Sequence, residues 1–293
     1  MQNRQLKFLA VGLVFLALAN FFVWREVFSL DSNLHVVFFD VGQGDAIFIE
    51  TPQGHQVLID GGPSGEVILD KLFDEMPFWD RTLDLIILTH PDYDHLRGLL
   101  DVLDRYKVEK ILWTGVLRET KTFEEWLEKL GAEKEEGAEV FIAQKGQVVR
   151  AGDSQFYIFH PFESLEGELM EKSSNESSIV LKMAFGQNSF LFTGDITKKQ
   201  EDAILVRSDF PVGPGAEVLK LPHHGSKTAN SRAFLEVISP QIAVISCGKD
   251  NSYGHPHQEV LSNLAEFAIT YLRTDQVGDV EVIADGNSFF INN

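Results

Sequence analysis

The sequence predicts an α/β fold with two sheets and helices on both outer faces. Three observations carry this. Apolar runs of strand length are separated by Gly- and Pro-containing turns in the first sixty residues. Two segments repeat apolar residues at helical spacing. Leu83-Asp84-Leu85-Ile86-Ile87-Leu88, a buried-strand pattern, runs through a polar turn directly into the helix start Leu96-Arg97-Gly98-Leu99-Leu100.

Taken in order, Leu34 to Val41, Ala46 to Thr51 and Gln56 to Asp60 read as strands around Gly-Gln-Gly-Asp and Pro-Gln-Gly-His turns. Gly65 to Met76 reads as a helix, with Val67, Ile68, Leu72 and Phe73 on one face. Lys110 to Trp113 is a short strand and Thr122 to Leu130 an amphipathic helix. Val140 to Ile142, Gln147 to Arg150 and Gln155 to His160 are short strands. Ser178 to Phe185 and Ser189 to Thr193 form a hairpin around Gly186-Gln187-Asn188. Strands and helices then alternate to about Phe267, and Val280 to Ile291 closes as a hairpin around Asp285-Gly286-Asn287. No repeat, low-complexity tract or long linker interrupts residues 32–293, which read as one domain.

Residues 1–31 read separately, as a membrane anchor. Phe8 to Trp24 is apolar except for Asn20, near the lower length limit for a spanning helix. Arg4 and Lys7 precede it, and Arg25, Glu26 and Asp31 follow. The positive-inside tendency then places the N-terminus in the cytoplasm and the domain outside a single-pass cytoplasmic-membrane helix. Ala17-Leu18-Ala19 resembles a signal-peptidase site, so secretion after cleavage is the alternative.

The formal charge of −19 opposes non-specific nucleic-acid binding, which depends on basic surface and counterion release. Much of the excess lies in Glu119 to Glu139, including Glu133-Lys134-Glu135-Glu136, read as a solvated helix face and loop. The single cysteine, Cys247, forms no intrachain disulfide and follows an apolar strand, as a buried inert thiol would.

The chemistry concentrates in Thr89-His90-Pro91-Asp92-Tyr93-Asp94-His95. Two imidazoles and two carboxylates share a strand-to-helix turn, the place where an α/β sheet exposes its functional groups. A cation is the simplest way to reconcile four ionisable groups in so small a volume.

His90-x-Asp92-x-Asp94-His95 resembles the HxHxDH signature of the metallo-β-lactamase superfamily, with Asp in place of the second His. Val57-Leu58-Ile59-Asp60-Gly61-Gly62, Leu191-Phe192-Thr193-Gly194-Asp195 and Leu219-Lys220-Leu221-Pro222-His223-His224-Gly225-Ser226 resemble its other motifs, in order. Phe39-Asp40-Val41-Gly42-Gln43-Gly44-Asp45-Ala46 and Tyr253-Gly254-His255-Pro256 bring the chain closer to the hydrolase domain of the ComEC competence proteins. The resemblance covers roughly Leu34 to Ile291. It implies a four-layer αββα sandwich and a DNA-linked hydrolase. That family carries a polytopic channel and this chain has room for one membrane segment, so a channel would be a separate protein.

The resemblance also implies a ligand set. His90 and Asp92 would hold one metal, Asp94 and His95 the other, with Asp195 bridging. The last ligand would be His223 or His224, the latter better placed before the next loop. The superfamily's third loop normally supplies a His, but Asn175-Glu176-Ser177-Ser178 has none. Three carboxylates, three imidazoles and no thiolate suit two divalent ions, Mn²⁺ or Zn²⁺. Two ions about 3.5–4 Å apart generate a metal-bound hydroxide, with Asp94 orienting it. His255 would contact the substrate or protonate the leaving oxygen, or else it sits in the loop that caps the helix near His257. Lys227 would bind a phosphate, or else it is a solvated surface lysine. Asp40, Asp45 and Asp60 would orient loops and ligands rather than bind metal. The implied reaction is phosphodiester hydrolysis, with DNA or another phosphodiester as substrate. Alternatives are a hydrolase of lactones, thioesters or β-lactams, and a non-catalytic binding module.

Overall fold

The structure is a computed structural model that describes residues 8, 11–21, 32–207, 213 and 215–292. The chain divides into two compact units, Met1–Ser32 and Asn33–Asn293. In the first, residues 11–21 are helical. Among the described residues no helix is long and apolar enough to cross a membrane, which overturns the single-pass anchor expected over Phe8 to Trp24. Arg4, Lys7, residues 22–24, Arg25, Glu26 and Asp31, on which the orientation rested, lie outside the described residues.

The second unit holds two mixed sheets. The first orders its strands β15-β14-β1-β2-β3-β4-β5-β6. These are β1 (Leu34–Phe38), β2 (Ile47–Glu50), β3 (Gln56–Ile59), β4 (Thr82–Leu88), β5 (Lys107–Trp113), β6 (Glu139–Ile142), β14 (Val280–Ala284) and β15 (Phe289–Asn292). The second runs β13-β12-β11-β10-β9-β8-β7. Its strands are β7 (Val148–Ala151), β8 (Ser154–His160), β9 (Val180–Phe185), β10 (Asn188–Phe192), β11 (Val218–Lys220), β12 (Ile242–Ile245) and β13 (Thr270–Arg273). Each sheet is antiparallel on one side and parallel on the other, the parallel strands being β3 to β6 and β10 to β13.

Alternation along the strands sorts side chains into layers. Val36, Phe38, Val57, Ile59, Leu85 and Ile87 of the first sheet meet Phe156, Ile158, Leu181, Phe190 and Phe192 of the second. The intervening Val37, Leu58, Ile86 and Leu88 face outward onto Ile68, Leu72, Leu96 and Leu99. These come from α1 (Gly65–Glu75) and α2 (Tyr93–Leu103). A third helix, α3 (Lys121–Glu136), adds Phe123, Trp126 and Leu130 to the same layer. On the other side Leu191, Leu219 and Ile245 pack on Ile204, Phe234, Leu235, Val260 and Leu264. Those residues belong to α4 (Lys198–Val206), α5 (Arg232–Ile238) and α6 (Gln258–Glu266). The order is therefore helix, sheet, sheet, helix. A short α7 (Thr274–Val277) leads into β14.

Two elements differ from the sequence reading. The helix expected to start near Leu96 begins at Tyr93 and takes Asp94 and His95 into its first turn. Helix α3 runs six residues past Leu130, because Ala, Glu and Lys favour helix without an apolar face. It stops at Gly137, whose φ of 107° lets its N–H reach the carbonyls of Glu133 and Lys134. Glu133, read as solvated, is buried there.

Candidate metal centre

The carboxyl ends of β3, β4, β10, β11 and β12 deliver the polar residues to one place, as parallel strands in α/β sheets do. Asp60, just after β3, has a left-handed φ of 59° that turns its carboxylate back under the next loop. It accepts hydrogen bonds from Thr89 N at 2.7 Å, Thr89 Oγ1 at 2.6 Å and His95 Nδ1 at 2.7 Å. The third bond fixes the tautomer of His95 and aims Nε2 at Oδ1 of Asp195, 3.5 Å away.

A parallel arrangement holds His224. Its Nδ1 donates to the Ser246 carbonyl at 2.9 Å and lies 3.3 Å from Oδ1 of Asp45. Its Nε2 faces Asp195 Oδ2 at 3.3 Å and Asp94 Oδ2 at 3.4 Å. Asp45 gets there because the loop before it packs on the backbone of the metal-motif loop. A Cβ on Gly44 would lie 2.2 Å from the Asp94 carbonyl oxygen. His223 and His224 are both left-handed, at φ 50° and 53°. Two consecutive such residues cost on the order of 1–3 kcal/mol each and persist only where surroundings hold them. Asn230 Nδ2 does so by donating to the carbonyls of Pro222 and Ser226, each at 3.0 Å. The Glu201 carboxylate in turn accepts from Asn230 N and Ser231 N.

Asp94, His95, Asp195 and His224 each offer one ligand atom, all within 4.8 Å of one another. Nε2 of His90, His95 and His224 and Oδ1 of Asp195 are buried with no hydrogen-bond partner. An unmet buried polar group costs on the order of 1–3 kcal/mol. Several converging on one point, with imidazole and carboxylate donors, fit a divalent cation. Electrostatics agree. Burial lowers the imidazoles of His95 and His224, but Asp195, with Asp60 and Asp45 respectively, outweighs it and holds both well above the histidine range. Burial raises Asp195, yet His224 and His95 drive it well below the carboxylate range. The site thus binds positive charge strongly.

Residues 39–249 match the family model described as the metallo-beta-lactamase superfamily. The chain belongs to that superfamily. It is a metal-dependent hydrolase by kind, related to competence proteins. It is 36% identical over 272 residues to ComE operon protein 3 of Bacillus subtilis (strain 168), covering 86% of this chain and 33% of that protein. It is 29% identical over 266 residues to competence protein ComA of Neisseria gonorrhoeae, covering 91% of this chain and 34% of that one. The chain therefore spans about a third of the length of these relatives. Among solved structures, the metallo-beta-lactamase fold protein YhfI from Bacillus subtilis superposes with a TM-score of 0.54 at 13% identity, covering 89% of this chain and all of YhfI. That likeness shows the fold.

Within this metallo-beta-lactamase fold, His90 packs against the cluster, its ring centroid 4.1 Å from that of His95 and tilted by 50°. Asp92 lines the same pocket but is engaged elsewhere. It accepts from Ser174 Oγ at 2.6 Å and Ser173 Oγ at 3.2 Å, with Arg118 Nη2 at 3.4 Å. Arg118 is itself pinned to the carbonyls of Met170 and Lys172, both at 2.7 Å. His223 also lines the pocket, with Nε2 3.8 Å from Asp195 Oδ2 and 3.2 Å from Asn175 Nδ2. His255 forms a wall, and burial, then His224 and His223, push it down to about 4. The helix cap beside it is His257. Lys227 is exposed outside the pocket walls, its backbone N 3.4 Å from His257 Nδ1. Asp40 stays in its own turn, accepting from Gly42 N, while its N–H donates to Asp279.

Three supports escaped the sequence reading. Lys220 pairs with Asp45 at 2.6 Å, and its signal was a lone charge in the apolar Leu219-Lys220-Leu221 strand. The Arg118 contact to Asp92 and the Glu201 contact to Asn230 join residues 26 and 29 positions apart, and no local pattern announces either.

Proposed function

We propose that the chain is a phosphodiesterase acting on nucleic acid, a nuclease that works with two divalent ions. What carries this reading is the convergence of unpartnered His90, His95 and His224 nitrogens with Asp195, in a chain similar to proteins named for competence. Asp94, His95, Asp195 and His224 would hold one ion. His90, Asp92 and Asp195 would hold the other, with His223 on the Asn175 side able to complete it in place of the missing loop histidine. Divalent ions held there would acidify a water and offset charge on a phosphoryl oxygen.

The protein's own residues supply the rest. Asp94 lines the pocket 3.4 Å from His224, where it orients the attacking water. His255 also lines the pocket and contacts the substrate. The pocket holds about 300 Å³ and no Lys or Arg lines it. A phosphodiester's charge is then met by the ions alone, which offsets the objection from a net charge of −19. The walls are polar, unlike the closed apolar pocket that a lactone or thioester hydrolase would use. The near-complete donor cluster also speaks against a non-catalytic module. A role in DNA uptake extends the same reading.

The test incubates the full chain and Asp94→Ala with single- and double-stranded DNA and with bis-p-nitrophenyl phosphate, in Mn²⁺ and separately in Zn²⁺. DNA cleavage by wild type that disappears in the variant supports the reading. Turnover of the small diester alone leaves a phosphodiesterase with a different substrate. No diester cleavage with either metal overturns it and moves the assignment to acyl substrates.

A further inference from the structure

We propose that Tyr253 is a stacking platform for an unpaired base of the nucleic-acid substrate, with Lys249 meeting the phosphate beyond it. The inference rests on the nuclease reading above and makes it more specific, since only a single strand or a frayed end exposes a base face.

Tyr253 lies in the loop between β12 and α6. It is 65% exposed, yet it forms part of the metal pocket's wall. A lone exposed tyrosine needs no explanation, but this one is held in place. Its ring lies nearly parallel to that of His255, at 20° with centroids 5.6 Å apart. The loop beneath is fixed by Asn251, which donates to the carbonyls of Gly248 at 2.9 Å and His255 at 2.6 Å. Asn251 also accepts from His255 N at 3.0 Å. A large aromatic ring thus stands at the pocket rim with part of its ordering cost already met by the fold.

A second cavity, of about 440 Å³, shares His255 with the metal pocket and is lined by Gly254, the residue after Tyr253. Its walls include Lys249, Asp250, Asn251 and Arg273. Arg273 is committed to Asp275, at 2.9 and 2.6 Å. Lys249 is exposed and makes no ion pair among the described residues. The metal pocket thus carries the Tyr253 ring in its wall, and the adjoining cavity carries the unpaired Lys249 ammonium beside Asp250. Non-sequence-specific single-strand grooves alternate charge and aromatic rings in that way. Stacking also suits this chain, because a protein of net charge −19 gains little from counterion release.

The experiment compares two labelled single strands of equal length, one with bases and one built of abasic sugar-phosphate units. Fluorescence anisotropy in Ca²⁺ gives Kd for each, and cleavage in Mn²⁺ gives KM and kcat. Wild type, Tyr253→Ala and Tyr253→Trp are measured. Wild type is expected to prefer the base-containing strand about tenfold, the order of one base–aromatic stack. Tyr253→Ala should bring the ratio near one, and Tyr253→Trp should restore it. A ratio near one in wild type, or one that survives in Tyr253→Ala, overturns the proposal whether or not DNA is cut. A Tyr253-dependent ratio without cleavage supports the platform and overturns the nuclease reading instead.

Discussion

The ammonium of Lys220 lies 2.6 Å from Oδ2 of Asp45, and both side chains are almost completely buried. The other Asp45 oxygen stands 3.3 Å from His224 Nδ1. Burial raises the Asp45 carboxyl, but Lys220 and then His224 pull it far below the carboxylate range. The pair therefore supports a charged carboxylate behind His224. Lys220→Met strands that carboxylate, and the expected loss is about 3 kcal/mol, the lower end for a broken buried pair because His224 is still beside it. Asp45→Asn with Lys220→Met should cost clearly less than the sum of the single variants. Urea midpoints for the four proteins decide it, and simple additivity would show that the pair does not act as a unit.

Asp60 gives a cleaner test of ligand orientation. Its carboxylate serves Thr89 and His95 together. An Asn there presents one acceptor oxygen to three donors, so His95 loses its charged partner. Asp60→Asn should weaken divalent-metal binding about 10- to 100-fold with secondary structure kept. A competitive chelator titration followed by circular dichroism reads both. Unchanged affinity would place Asp60 in the fold and not in the metal's support.

Chelation should lower the melting temperature of the full chain, because ions that bind only the folded state stabilise it by mass action. Restoring the metal should raise it again. Mn²⁺ is expected to serve at least as well as Zn²⁺ in diester hydrolysis, since oxygen donors make up half of the proposed ligands. Higher activity with Zn²⁺ alone after reconstitution would refute the argument from the oxygen donors.

What was legible in the sequence is what depends on short-range pattern. The apolar runs Val57-Leu58-Ile59 and Leu85-Ile86-Ile87 read as strands, and clusters on both of their faces explain why the runs are continuous. Asp60 stood out because Val57 to Gly62 resembles a motif of the superfamily. Asp92 shows where pattern stops. Its spacing marks it as one of the motif's acids, but Arg118, Ser173 and Ser174 reach it from other parts of the chain. The helix start at Tyr93 was hidden because Asp94 and His95 belong to no apolar face. Helix α4 carried a Thr197/Gln200 capping box that was readable, though its weak amphipathicity masked it. Phe8 to Trp24 looked like a span by composition, but among the described residues no helix is long and apolar enough to cross a membrane.

Cys247 should behave as a structural thiol. It is fully buried, with Sγ 3.3 Å from Asp275 Oδ1. Burial, then the Asp275 charge, push it up to about 11. Thiolate is therefore scarce at neutral pH. A disulfide reagent should label the native protein very slowly and titrate one thiol per chain in guanidinium. Rapid labelling of the native state would mean that the strand end of β12 opens readily.

Glu75, at the end of α1, ties stability to pH through an acid-rich corner. Partial burial, then Glu281 and Asp279, raise it from 4.5 to about 6, with His35 acting in the opposite direction. The folded state thus holds this proton more tightly than the unfolded chain does. Its contribution favours folding below pH 4.5 and declines as pH rises through about 6, because the unfolded state releases the proton first. The full shift corresponds to about 2 kcal/mol, and solvent screening at this partly exposed carboxyl reduces it to about 1 kcal/mol. Glu75→Gln should therefore match wild type near pH 4 and exceed its stability by about 1 kcal/mol near pH 7.5. Denaturant midpoints at the two pH values check this. A variant that gains equally at both would show that the benefit comes from packing and not from removing a strained charge.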